Sequence, residues 1–179
     1  YSVNFLLDNI IANKPEKIDF DIVIPSDLRP VYIVKENVEL ALKKILDNAY
    51  ESMPGGGIIQ IVVQETEMNK SNIFSLSPGS YISIKIIDKG NGIDPIYIEK
   101  VFEPYFSLKN KEGLGLTQAF HQLITQNAYA NINSTLNEGT CVEVFLPEKP
   151  ALQNNPESIK HIDRVIKILF MDDEQLVLD

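Results

Sequence analysis

The segment Asp88-Lys89-Gly90-Asn91-Gly92 constrains this chain more than any other. It follows Tyr81-Ile82-Ser83-Ile84-Lys85-Ile86-Ile87, whose alternation predicts a strand. Asp88 therefore stands at or just past a strand end. Two glycines two residues apart let the backbone fold tightly and leave space beside it. An ionised carboxylate in such a place accepts hydrogen bonds and donates none. A flat purine with an exocyclic amine, as in adenine, offers the matching donor. In isolation the same residues also describe an ordinary acid–glycine turn. The neighbouring segments decide between the two.

A second signal is the predicted helix over residues 36–53. Val38, Ala41, Leu42, Ile45, Leu46, Ala49 and Met53 form one apolar stripe, and Pro54-Gly55-Gly56-Gly57 ends it. Lys44, Asn48 and Glu51 share another face. That row reads either as a solvated face or as a place where Asn48 offers a neutral oxygen to magnesium. Magnesium takes hard oxygen ligands and completes its shell with phosphates and water. A third signal is Asn110-Lys111-Glu112-Gly113-Leu114-Gly115, a polar, glycine-bearing loop running into a helix with Leu116, Ala119, Phe120, Leu123 and Ile124 on its stripe. A loop entering a helix N-terminus is suited to an anion, and Lys109 and Lys111 could add charge toward phosphates. Ordinary solvated lysines are the plainer alternative.

The remaining segments supply a scaffold. Residues 1–13 have helical spacing up to Pro15, Ile18 to Ile24 alternate as a strand, and Val31–Val34 suggest a brief second one. Ile58–Glu65 predict a buried strand, residues 68–80 a surface loop, and Pro95 the start of a short helix over 96–101. Two final strands, 129–135 and 140–146, are joined by Asn137-Glu138-Gly139. Residues 148–160 have a linker's composition, and Val165–Met171 form an apolar run before Asp172-Asp173-Glu174.

Composition closes off several function classes. A formal net charge of -9 argues against a nucleic-acid surface. The single cysteine, Cys141, allows no internal disulfide and suits a reducing, cytoplasmic setting. No apolar run reaches the roughly 20 residues of a membrane helix. The chain is expected to be a piece of a longer protein.

Taken in order, these segments resemble the catalytic, ATP-binding domain of the sensor histidine kinases over about residues 16–147. LKKILDNAYESMPGGG resembles the family's N box, DKGNGI its first glycine box, VFEPYFSLK its F box and EGLGL its second glycine box. NEGTCVEVFLP is similar to the closing strand and places Thr140 near the adenine pocket. The N box is most similar to that of the nitrogen-regulation kinases. The resemblance implies an α/β fold: a two-layer sandwich of the Bergerat type, its mixed sheet covered by helices on one face, with ATP under a short lid. It implies ATP and Mg2+ as cofactors, with Asn48 on the metal. The ATP-binding set it implies is Asn48, Glu51, Asp88, Gly90, Gly92, Ile93, Phe106, Lys109, Lys111, Gly113, Leu114, Gly115, Leu116 and Thr140.

The implied reaction passes the γ-phosphate to a histidine on a dimerisation domain, and the implied parent is a homodimer. Residues 1–15 would be the exit from that domain or a linker, and 148–163 a second linker. IKILFMDDEQLVLD resembles the first strand and acidic loop of a response-regulator receiver, where Asp172 and Asp173 would hold magnesium. Neither His121 nor His161 is followed by the acid that accompanies the family's phosphoacceptor, so the chain alone is not expected to phosphorylate itself. Departures from the pattern are Lys44 for a polar residue, Lys111 for a glycine, a short lid over 107–112, and Asn127-Ala128 for a glycine pair. Two alternatives accompany this reading. One is a degenerate module that keeps the fold to bind a nucleotide or a partner. The other is a gyrase- or mismatch-repair-like ATPase, disfavoured because Lys44 stands where those enzymes carry a glutamate base.

Overall fold

The computed structural model describes residues 2–12, 14–69, 71, 76–98 and 115–148. Five strands form one mixed sheet in the order β1-β2-β3-β5-β4. They are β1 (Ile18–Val23), β2 (Gly57–Met68), β3 (Gly79–Asp88), β4 (Tyr129–Thr135) and β5 (Gly139–Pro147). Helices α1 (Val3–Ile11), α2 (Lys35–Ser52), α3 (Pro95–Ile98) and α4 (Gly115–Ile124) connect or precede them. β1 and β2 run parallel, and all other pairs are antiparallel. A parallel pair needs a crossover, and α2 supplies it. The α/β sandwich expected from the sequence is the fold observed.

Alternation along the strands sorts the two faces. Ile59, Ile61 and Val63 of β2, Ile82, Ile84 and Ile86 of β3, and Val142, Val144 and Leu146 of β5 are buried in one cluster with Ala41, Leu42, Ile45 and Leu46 of α2 and Leu123 of α4. Val3, Leu6 and Leu7 of α1 join the same cluster. Burying a leucine is worth roughly 1.5–3 kcal/mol. That holds α1 against α2 although no side chain caps its N-terminus. Helix α1 is thus packed into this domain's core. The opposite face carries a smaller cluster of Leu76, Tyr81 and Phe145, beside a polar set in which Lys85 lies 3.7 Å from Glu143.

The expected strand over Val31–Val34 does not form. Val31 is buried and Tyr32 exposed, as in a strand, but the stretch makes no ladder. It is held instead by Val31 in the core, with Ile33 packed against it, and by separate bonds: the Tyr32 N–H donates to the Pro147 carbonyl (3.1 Å), and the Val34 N–H donates to Gln126 Oε1 (2.7 Å).

The asparagine in place of a glycine at 127 has a structural account. Asn127 has φ 53°, the left-handed conformation that ends a helix. The Ala128 N–H donates to the Leu123 carbonyl and the Asn127 N–H to the Ile124 carbonyl, each at 3.0 Å. This is a Schellman cap, and asparagine tolerates its conformation better than other side chains do. Asn127→Ala is expected to cost about 1–2 kcal/mol in a urea melt, while Asn127→Gly costs almost nothing.

Candidate nucleotide site

One end of the sheet gathers most of the describable candidate residues. Because β2 and β5 are both antiparallel to β3, their first residues flank the last residue of β3. That last residue is Asp88, and its register partner on β5 is Thr140. The C-terminus of α2 meets the same end: the Ser52 carbonyl accepts the Asn91 N–H at 3.2 Å.

Asp88 is 6% exposed. Its Oδ1 accepts a hydrogen bond from the Ser52 hydroxyl (2.9 Å) and another from the Gly90 N–H (2.8 Å). A buried carboxylate needs such donors to remain charged without a large penalty. Four residues before Ser52, the side-chain amide of Asn48 donates to the Lys44 carbonyl at 2.8 Å. That bond commits the amide N–H group to the helix and leaves its oxygen as the atom offered outward. Asn48 and Lys44 are half-buried, whereas Glu51 is exposed. The Asn48 and Asp88 halves of the candidate site are therefore tied together by one helix.

The β4–β5 hairpin closes over the turn. The Asn137 N–H donates to the Asn91 carbonyl (2.8 Å), and the Ile93 N–H donates to Ser134 Oγ (2.9 Å). Ser134 Oγ also lies 2.8 Å from Thr140 Oγ1 and donates to the Gly139 carbonyl. Gly92 has φ 63°, and a Cβ there would stand 2.0 Å from the Thr135 carbonyl oxygen. This turn–hairpin junction accounts for the second glycine of the motif without any ligand.

Asp88, Gly90, Gly92, Ile93 and Thr140 thus come together, with Asn48 four residues along the helix that reaches them. Ile93 and Leu116 pack against the main core, and Gly115 opens α4. Phe106, Lys109, Lys111, Gly113 and Leu114 lie outside the described residues, as do the lid, Asp172 and Asp173. Sequence reasoning missed Ser52 and Ser134. The four-residue spacing from Asn48 was a usable signal for Ser52; only strand register reveals Ser134.

Cys141 follows Thr140 and, by strand alternation, faces the other side of the sheet. Burial pushes its thiol pKa up, aided by Glu143 and Asp88 and opposed by Lys85. A raised pKa leaves less thiolate at any given pH. Alkylation by iodoacetamide at pH 8 is expected to run several-fold slower than for a free cysteine and to reach the free rate in urea.

The family profile described as histidine kinase-, DNA gyrase B- and HSP90-like ATPase matches residues 34–150, more than half of the chain. The chain belongs to this ATPase family. Among relatives, it is 32% identical over 139 residues to the adaptive-response sensory kinase SasA of Gloeothece citriformis, covering 75% of this chain and 32% of that protein. It is 31% identical over 119 residues to sporulation kinase B of Bacillus subtilis, covering 65% and 25%. The chain thus spans about a third or less of these relatives. The mycobacterial sensor histidine kinase MprB shares its fold at TM-score 0.61 and 20% identity, with 83% of this chain and 93% of that one covered. Full-length ShkA, solved in complex with AMPPNP, aligns at TM-score 0.66 and 14% identity over 84% of this chain and 31% of that one. Within the ATPase family, these relatives include a sensory kinase and a sporulation kinase, and MprB is a sensor histidine kinase.

Proposed function

We propose that this chain is the catalytic, ATP-binding unit of a two-component sensor histidine kinase. The observation that carries the reading is Asp88: a buried carboxylate with two donors on one oxygen, at the end of a central strand, beside the helix that bears Asn48. Adenine would place its exocyclic amine on Asp88, with Thr140 beside it. The likeness to sensor kinases supports the remainder: phosphates held toward Lys109, Lys111 and the Gly113–Gly115 loop, and magnesium held by Asn48. The donor set fits that metal. A single neutral side-chain oxygen suffices where phosphates and water supply the other ligands. When bound, magnesium would neutralise charge on the transferring phosphoryl group, while this chain's residues hold and orient the nucleotide.

The γ-phosphate would pass to a histidine on a dimerisation domain of the same parent, a homodimer. From there it would go to a receiver. The resemblance of residues 164–179 to a receiver's first strand supports a hybrid kinase, with Asp172 and Asp173 as that domain's metal ligands. No helix among the described residues is long and apolar enough to cross a membrane.

The test is phosphotransfer. Incubation of this chain with γ-labelled ATP, magnesium and the parent's histidine-bearing domain should place acid-labile, alkali-stable label on that domain. The chain alone should remain unlabelled. Label on this chain as phosphohistidine, or none on the partner domain, contradicts the proposal.

A further inference from the structure

We propose that Ser52 is a positioning residue that sets this site's preference for a purine bearing a 6-amino group. The inference rests on the nucleotide reading above and goes beyond it to a residue absent from the implied ATP-binding set. Ser52 is the last residue of α2. It grips the Asp88–Asn91 turn at two points: its hydroxyl lies 2.9 Å from Asp88 Oδ1, and its carbonyl accepts the Asn91 N–H at 3.2 Å. The hydroxyl also lies 2.8 Å from the Ala49 carbonyl, so one proton has two acceptors. The bond to a carboxylate is charge-assisted and is the stronger of the two.

Gly90 supplies an independent observation. It is not among the glycines with positive φ. A side chain there is excluded for a different reason: a Cβ would stand 2.0 Å from Ser52 Oγ and 2.5 Å from Ser52 Cβ. Residue 90 is bare because Ser52 fills the space beside it. The Gly90 N–H then reaches Asp88 Oδ1 at 2.8 Å, on the same oxygen as the hydroxyl. The terminal torsion of an aspartate is broad when unrestrained. Two donors on one oxygen remove that freedom and fix where the carboxylate presents its acceptor. Loss of the Ser52 hydroxyl removes one of the two donors on Oδ1 and loosens the carboxylate's orientation. The bond that suffers is the one to the exocyclic amine. Contacts to ribose and phosphates are unaffected.

The experiment compares two probes, ATP and purine riboside triphosphate, which lacks the 6-amino group. Both are titrated with magnesium into the full chain and into Ser52→Ala. Ser52→Ala should weaken ATP by about five- to tenfold, the worth of one hydrogen bond. Purine riboside triphosphate should change less than about twofold. Ser52→Cys puts a larger atom and a weaker donor in the same place and should fall between, which also serves if the alanine variant folds poorly. Equal weakening of both nucleotides would show that Ser52 only supports the turn and would overturn the inference. So would unchanged ATP affinity in Ser52→Ala. If the unsubstituted chain binds neither probe, the nucleotide reading itself fails and takes this inference with it.

Discussion

Asp88→Asn should reduce ATP affinity by about ten- to a hundredfold, the range for a hydrogen bond to a charged acceptor, while leaving the fold intact. Asparagine has the shape of aspartate, so the question is which of its atoms goes where. The Ser52 hydroxyl and the Gly90 N–H both donate to Oδ1. Those two bonds select the orientation in which the asparagine oxygen stays at that position. The amide nitrogen then occupies the place of Oδ2. An N–H group would face the adenine amine, donor against donor, where a carboxylate oxygen accepts. The hydrogen bonds within the turn survive, so thermal unfolding should shift by only a few degrees. Calorimetric titration beside a thermal melt reads both effects. A large loss of stability with unchanged affinity would assign Asp88 a purely structural role.

Gly139→Ala should be the most destabilising single change at this end of the sheet, at about 3–5 kcal/mol, combining backbone strain with overpacking. Gly139 has φ 122°, which side chains rarely adopt. An added Cβ would stand 2.0 Å from the Asp88 carbonyl oxygen and 2.9 Å from Lys89 Cα. Both obstacles are backbone, so no rotamer change relieves them. Because Asp88 itself would have to move, nucleotide binding should fall with stability. A domain of this size commonly has about 5–15 kcal/mol in all, so the variant is expected to be partly unfolded at 37 °C. Urea denaturation followed by circular dichroism measures the loss. A cost under 1 kcal/mol would mean that the hairpin is not seated on the turn as described here.

The parts of this fold legible in sequence were those in which local period and tertiary burial agree. The stripe of Val38, Leu42, Ile45 and Leu46 is buried in one cluster with the sheet and with apolar residues of α1 and α4, as its helical period predicts. β3 follows its alternation up to Asp88. β2 runs three residues past the expected end at Glu65, because Thr66, Glu67 and Met68 pair with Tyr81, Ser80 and Gly79. That pairing is a property of the hairpin and not of those residues. Val31–Val34 had the pattern of a strand, but it pairs with no described strand in a ladder. Alternation cannot report a missing neighbour. The helix at the start of the chain was legible as a helix. Its seat against α2 was not, since Val3, Leu6 and Leu7 would suit any apolar partner.

The candidate site was half legible for a similar reason. Asp88, Gly90 and Gly92 form a local motif, and Asn48 stands out on a helix face. The hydroxyls that organise them do not, because a serine's partner is chosen by the fold. Ser52 reaches Asp88 across 36 positions and Ser134 reaches Ile93 across 41. Gly90 and Gly92 also turned out to be required by packing against Ser52 and Thr135, in addition to any space they leave for a base.

The central claim is that Asp88 and Asn48 belong to one nucleotide site. Isothermal titration of the full chain with ATP, with and without magnesium, tests it most directly. The expected result is saturable one-to-one binding that weakens in Asn48→Ala, which removes the metal-ligand oxygen, or when magnesium is withdrawn, and that Asp88→Asn reduces steeply. Absence of heat and of any competition by ADP at millimolar nucleotide would contradict the claim. The same sheet and helices would then serve a partner-binding role instead.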